Sequence, residues 1–249
     1  MEEKDYKALT ETTYEERMSS VVDEQGVRYT ADGKKLISTP VSLFGSYKIK
    51  PGTESICDSA FQGKVDLGVV EIPSSVKYIG RCAFVYCFKL MYANLPPSIE
   101  FLGKMSFLNC DLQTVIVPDS LKYIPGSAFA GNQNLKQVIL HSDIERIEDG
   151  AFSNCGMEEF TFPPKIKIIE NSVLSECRKL RKINIPNGVV EIKNSAFSRT
   201  AIETLEIPDS VDIIEDYVVC DCWNFKGAKV PQNANHIAKH ALATRFVWD

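Results

Sequence analysis

Hydrophobic positions recur along this chain in a fixed order. Apolar-Pro pairs stand at Ile72-Pro73, Leu95-Pro96, Val117-Pro118, Phe162-Pro163, Ile185-Pro186, Ile207-Pro208 and Val230-Pro231, spaced by 22, 23 or 45 residues. The 45-residue step covers two units, with Leu140-His141 in the middle place, and Ile49-Lys50-Pro51 is a degenerate earlier copy. Later in each unit comes a small-then-bulky pair: Ala60-Phe61, Ala83-Phe84, Ser106-Phe107, Ala128-Phe129, Ala151-Phe152, Val173-Leu174, Ala196-Phe197, Val218-Val219 and Ala241-Leu242. Three residues further lies a third column: Lys64, Cys87, Cys110, Asn132, Cys155, Cys177, Thr200 and Cys222. An apolar-x-x-apolar-x-apolar run, such as Leu135-Val138-Leu140 or Ile202-Leu205-Ile207, then leads to the next proline position. Nine units run from about residue 44 to the end.

The last two apolar positions of that run are two apart, the period of a half-buried strand. The proline that follows cannot donate to a ladder, so it ends the strand. The Val-x-x-Ile step (Val76/Ile79, Val189/Ile192) turns the chain across the far side, and Ala-Phe fits a short helical or 3₁₀ turn that plugs Phe into the interior. A single unit cannot bury both of its sides, whereas stacked neighbours can. The pattern predicts an α/β solenoid: a right-handed superhelix of about nine 22–23-residue repeats, one short parallel strand in each. Residues 1–20 form an acidic tail or helical cap, residues 21–43 a β-hairpin cap turning at Asp32-Gly33, and residues 44–249 the repeat domain, closed at its end by Trp248.

Units such as "IPSSVKYIGRCAFVYCFKL" and "IPNGVVEIKNSAFSRTAIETLEI" resemble the BspA-like leucine-rich repeat, over residues from about 44 to 249. The segment from Gly26 to Ile37 resembles the hairpin that often precedes such repeats. The resemblance implies a leucine-rich-repeat fold. It also implies the company of bacterial surface or secreted proteins that act in adhesion and protein binding.

Composition narrows the function classes. Hydrophobic residues make up 44% and charged residues 24% of the 249, ordinary for a folded chain. No apolar run approaches the roughly 20 residues of a membrane helix, so no membrane insertion is expected. Residues 1–24 hold eight acidic and three basic side chains and account for the whole net charge of −5. The balanced remainder has no field to recruit a phosphate backbone, which argues against nucleic acid. The opening Met1-Glu2-Glu3-Lys4-Asp5 has neither the apolar core nor the cleavage site of a signal peptide. As given, the chain reads as cytoplasmic; an export signal trimmed from it would place it at the cell surface or outside.

Candidate chemistry is weighed against the repeat register. Five of the eight cysteines share one column with Asn132 and Thr200, which reads as a buried rung of thiols rather than a metal or redox site. Adjacent rungs stand about 4.8 Å apart, wider than the roughly 3.8 Å between the Cβ atoms of a disulfide. Cys220-x-Cys222 with His236 and His240 is near zinc-finger spacing but one residue short between the cysteines, and each falls on an ordinary repeat position. No nucleophile elbow, phosphate loop or dinucleotide fingerprint occurs. The expectation is therefore no enzyme, no metal and no cofactor.

Charges at the position after the first apolar residue alternate in sign from unit to unit: Lys136, Glu158, Arg181, Glu203, Lys226. They read as a stacked ion-pair rim. The outward strand positions are the candidate binding surface: Val69, Glu71, Tyr92, Asn94, Ile116 and Ile139 on the concave sheet face. A contiguous apolar cluster there marks a contact site. The sequence thus predicts a non-enzymatic binding module for a protein or glycan ligand, adhesin-like by resemblance. The alternative is a structural scaffold that uses the same face as a homodimer contact.

Overall fold

The structure, a computed structural model, describes residues 3–245; Trp248 lies outside the described residues. The chain divides into two compact units, Met1–Leu121 and Lys122–Asp249. Both are stacks of coils built from strands and turns, with little helix.

Each coil carries two short parallel strands, not the single one the pattern predicts. The front strand is the expected one, as in Leu67–Glu71 or Thr204–Glu206. The back strand is the Val-x-x-Ile step itself, as in Tyr78–Ile79 and Ile192 of Glu191–Ile192. Two residues are too few to show an alternating pattern in sequence, but stacking gives every rung ladder partners. In the first unit Ser55 pairs with Tyr78 and Tyr78 with Phe101; in the second, Ile168, Glu191, Ile213 and His236 form one continuous row.

The front ladder runs in short groups. In the first unit Ser46 pairs with Val69 and Val69 with Tyr92, but Thr114–Ile116 does not join this sheet. In the second unit Glu159–Thr161 pairs with Lys182–Asn184, and Thr204–Glu206 with Gly227–Lys229, with breaks before and between these pairs. Each break follows the linker out of the column that holds the cysteines. In the coil after a break, the first apolar residue of the front run stands two residues past that column (Cys110 to Leu112, Cys155 to Met157, Thr200 to Ile202). In the coil before it, that residue stands three past (Cys87 to Leu90, Asn132 to Leu135, Cys177 to Leu180). Losing one linker residue shifts the strand against its predecessor, so coil-to-coil bonds persist at its entry, as from Asp111 N–H to Leu90 C=O (3.1 Å) and from Ala201 N–H to Leu180 C=O (2.9 Å), but the strands themselves do not form a ladder.

The core is the small-bulky column. Phe61, Phe84 and Phe107 are buried, with ring centroids 4.7 and 4.8 Å apart and nearly parallel planes. That spacing is the rise from one strand to the next, about 4.8 Å, so the coils and the rings share one period. In the second unit Phe129 stacks on Phe152 at 5.6 Å.

The turns around this column are not 3₁₀ helix. In every coil but the last, the residue before the small-bulky pair and the second residue after it both have positive φ: Ser59 and Gly63, Cys82 and Tyr86, Met105 and Asn109 in the first unit. The same holds for Ser127 and Gly131, Gly150 and Asn154, Ser172 and Glu176, Ser195 and Arg199, and Tyr217 and Asp221 in the second. Left-handed residues interrupt a helical run, leaving separate tight turns such as Ala60 N–H to Cys57 C=O (3.2 Å) and Lys64 N–H to Phe61 C=O (3.2 Å).

The N-terminal residues dock on the first unit. The hairpin of Arg28–Tyr29 and Lys35–Ser38 turns through Gly33, and Lys35–Ser38 extends the back ladder. One directed hydrogen-bond chain ties it to the first coil. Lys50 N–H donates to the Tyr29 hydroxyl (3.4 Å), Tyr29 to Tyr47 (2.5 Å), and Tyr47 to the Asp23 carboxylate (2.6 Å). Helix α1 (Glu3–Thr10) packs beside the back strands, Tyr6 stacking on Phe101 at 4.3 Å. Helix α2 (Tyr14–Met18) opens on a Thr13/Glu16 capping box. Lys35 holds both helices, donating to Ala8 and Glu11 carbonyls (3.2 Å each) and pairing with Glu16 at 2.9 Å.

Candidate binding surfaces

The third column is occupied by structure, not chemistry. Each cysteine thiol donates to the carbonyl of the Phe one coil back: Cys87 to Phe61, Cys110 to Phe84, Cys155 to Phe129, Cys177 to Phe152 and Cys222 to Phe197, at 3.0–3.2 Å. Asn132 and Thr200 bond the Phe carbonyl of their own coil instead, at 2.7 and 2.9 Å. Burial holds the Cys155 thiol well above its ordinary range and pushes Cys177 up to about 12. All eight cysteines are free. Among the described residues no group of three His, Cys, Asp or Glu side chains converges as a metal site. His236 is exposed on a back strand, and His240 lies against the Tyr217 ring at 5.6 Å.

The outward front positions divide into two kinds. Val69 and Tyr92 are direct ladder partners, and Tyr92 stands 54% exposed. Ile116, 59% exposed, is on the next coil of the same unit, across a ladder break. Ile139 belongs to the second unit and is 43% exposed. The polar members hold the fold. Glu71 pairs with Lys48 at 3.3 Å. Asn94 donates to the Ile72 carbonyl (2.8 Å) and accepts from its N–H (2.9 Å), standing in for a ladder partner one coil back. Of the expected charged rim, the Glu203–Lys226 step forms an ion pair, at 2.6 Å, and Lys226 first, then Arg181, holds the Glu203 carboxyl below the ordinary range.

Sequence reasoning passed over the row immediately after the cysteine column. It lies on the coil edge, next to the second left-handed residue. In the first unit it carries exposed Phe88, 5.8 Å from exposed Tyr86. In the second it reads Arg178, Ala201 and Trp223 on successive coils, and Trp223 is 78% exposed. Beside it, the left-handed residues Glu176, Arg199 and Asp221 form an ion-pair ladder. Arg199 bonds Glu176 on one side and Asp221 (3.1 Å) on the other, and Arg178 closes on Glu176 at 3.0 Å. Burial raises the Glu176 carboxyl, and the two guanidiniums more than offset this, leaving it below its ordinary range. Arg178, Arg199, Asp221, Ala201 and Trp223, with Thr200 and Asn224, line a depression of about 450 Å³, and Glu176 stands behind it. The available signal was aromatic side chains in a row that elsewhere holds Asp111, Gln133, Gly156 and Ala201.

Comparison with known proteins agrees with the coil architecture. The family of the BspA type leucine rich repeat region matches residues 54–181 and 146–245, in six copies. Among solved structures, a leucine-rich repeat protein from Bacteroides ovatus is similar at 24% identity and a TM-score of 0.68, covering 88% of this chain and 64% of its own. A leucine rich cell surface protein from Faecalibacterium prausnitzii is 19% identical with a TM-score of 0.57, over 86% and 77% of the two chains. A T. pallidum leucine rich repeat protein is 23% identical with a TM-score of 0.54, over 73% and 86%. This chain thus spans under two thirds of the length of the Bacteroides ovatus protein. No curated protein matches.

Proposed function

We propose that this chain, which belongs to the BspA type leucine-rich repeat family, is a non-enzymatic binding module that recognises a protein through the front face of its first unit. The observation that carries this reading is the exposure of Tyr92 and Ile116 on successive coils of one unit. Tyrosine supplies large contact area at low entropic cost, and a partly exposed aromatic with aliphatic neighbours is the usual anchor of an interface. The recurring polar groups of the same face are bonded within the fold and add little to recognition. A solved relative described as a leucine rich cell surface protein supports the adhesin-like form of the proposal.

The test compares the wild-type chain with a Tyr92→Lys, Ile116→Lys double variant in quantitative capture of proteins from host-cell surface extracts. Circular dichroism verifies that both are folded. The reading expects a saturable partner bound by the wild type and lost in the variant; equal capture by both overturns it. The scaffold alternative is separated by light scattering of the protein alone. A mass that doubles with concentration, and fails to do so in the variant, makes the same face a homodimer contact.

A further inference from the structure

We infer that the depression around Trp223 is a subsite for one neutral pyranose ring of a glycan. It is separate from the front face of the first unit and lies wholly within the second.

The argument begins with the row Arg178, Ala201, Trp223. These residues occupy the same position on three successive coils, so Arg178 and Trp223 stand two coil steps apart, about 10 Å. Ala201 between them has only a methyl group and forms the floor. Two van der Waals contacts of about 3.5–4 Å each require walls roughly 7–8 Å apart around a planar guest. The slot is wider than that by the thickness a puckered ring adds. One saturated ring fits between the walls, and two stacked rings do not.

Electrostatics select the same class of guest. Arg178 and Arg199 are balanced by Asp221 in the lining and by Glu176 behind it, in one ion-pair chain from Arg178 through Glu176 and Arg199 to Asp221. The slot therefore has no net charge to draw an anion or a cation. Its side wall instead offers the guanidinium donors of Arg199 beside the carboxylate acceptors of Asp221. Vicinal hydroxyls, each both donor and acceptor, suit such a wall. The indole of Trp223, 78% exposed, gives the apolar C–H face of a sugar a platform. The backbone behind the wall is held by coil-to-coil bonds, including Glu176 N–H to Ser198 C=O (2.8 Å) and Arg199 N–H to Cys220 C=O (2.8 Å), so the polar groups are preorganised.

The probes are neutral oligosaccharides of glucose, galactose, mannose and N-acetylglucosamine, with a phenylalanine tripeptide and a sulfated oligosaccharide alongside. Binding is read by calorimetry and by indole emission in a Trp248→Phe background, which leaves Trp223 as the reporter. The inference expects a saturable blue shift with at least one neutral sugar at millimolar concentration. It expects Ala201→Leu, which fills the floor, and Trp223→Ala, read by calorimetry, each to weaken that binding about tenfold or more at an unchanged melting temperature. Tyr92→Lys leaves it intact. Silence from every neutral sugar overturns the inference, as does tighter binding of the tripeptide or the sulfated probe. Undiminished binding by folded Trp223→Ala overturns it as well.

Discussion

Ser106→Ala is expected to stabilise this protein, and the reason lies in one oxygen atom. Ser106 occupies the small position of the small-bulky column, where Ala60, Ala83, Ala128, Ala151 and Ala196 stand in other coils. Its side chain is 0% exposed, and its hydroxyl is a buried polar side-chain atom with no hydrogen-bond partner. Burying an unsatisfied hydroxyl costs about 1–3 kcal/mol. Alanine removes the oxygen while keeping the Cβ that packs in the column, so a gain of about 1–2 kcal/mol follows, or roughly 3–6 °C in Tm for a chain of this size. Thr200→Val is the matched control. Thr200 is also buried, but its hydroxyl donates to the Phe197 carbonyl at 2.9 Å. Valine keeps the shape and deletes the bond, and Phe197 C=O still accepts from Cys222 at 3.2 Å. The control should therefore lose only about 0.5–1.5 kcal/mol. Urea titrations followed by circular dichroism measure both, with an unchanged m-value required for each. The two variants must move the midpoint in opposite directions. A Ser106→Ala midpoint at or below wild type refutes the reasoning, because it means the hydroxyl is satisfied in solution.

Two further outcomes follow from the coil geometry. Gly63 has φ of 70° and no atom within 4 Å of where a Cβ would sit, so Gly63→Ala isolates the backbone term: about 1–2 kcal/mol for the left-handed conformation, less roughly 0.4–1 regained from a stiffer unfolded chain. A net loss of about 0.5–1.5 kcal/mol in urea denaturation is expected, and Met105→Gly, at φ 56°, should move the other way. The cysteines should alkylate in a fixed order at pH 8. Cys82 is half-buried and reacts first, while buried Cys57, Cys155 and Cys177, held protonated by desolvation (Cys57 and Cys177 pushed up to about 12), wait for unfolding. Peptide mass spectrometry against time reads the order, and simultaneous labelling of Cys82, Cys155 and Cys177 contradicts it.

The coil architecture is legible in sequence because burial imposes it on every unit alike. The Phe61, Phe84, Phe107 series recurs since each ring packs on the one before at the coil spacing, and any polar substitute would be stranded. The cysteine column recurs for the same reason, and two of its exceptions, Asn132 and Thr200, reach the same kind of acceptor by a shorter route. The left-handed positions are not legible. Tyr86, Asn109, Glu176, Arg199 and Asp221 share a backbone conformation but no side-chain chemistry. The turn bonds on either side fix φ, and no single residue type signals it outside Gly63, Gly131 and Gly150. The back strands escape notice because two residues carry no period. Tyr6 escapes because one aromatic in an acidic segment gives no pattern, although its ring stacks on Phe101.

The same contrast says where function can reside. A position that repeats is held by stacking, so its identity answers to the neighbouring coil. A position that departs from its column in a buried place must be compensated, as Asn94 compensates by bonding the Ile72 backbone. A position that departs in an exposed place needs no compensation, and the fold is indifferent to it. Trp223 and Phe88 stand where other coils carry Asp111, Gln133, Gly156 and Ala201, and no buried contact requires an aromatic there. An exposed indole gives up little stability if removed and gives none to the stack while present. Its retention beside the neutralised chain of Arg178, Glu176, Arg199 and Asp221 is therefore explained by something outside the coil. The front-face Tyr92 and Ile116 follow the same logic less strongly, since strand propensity alone favours such residues.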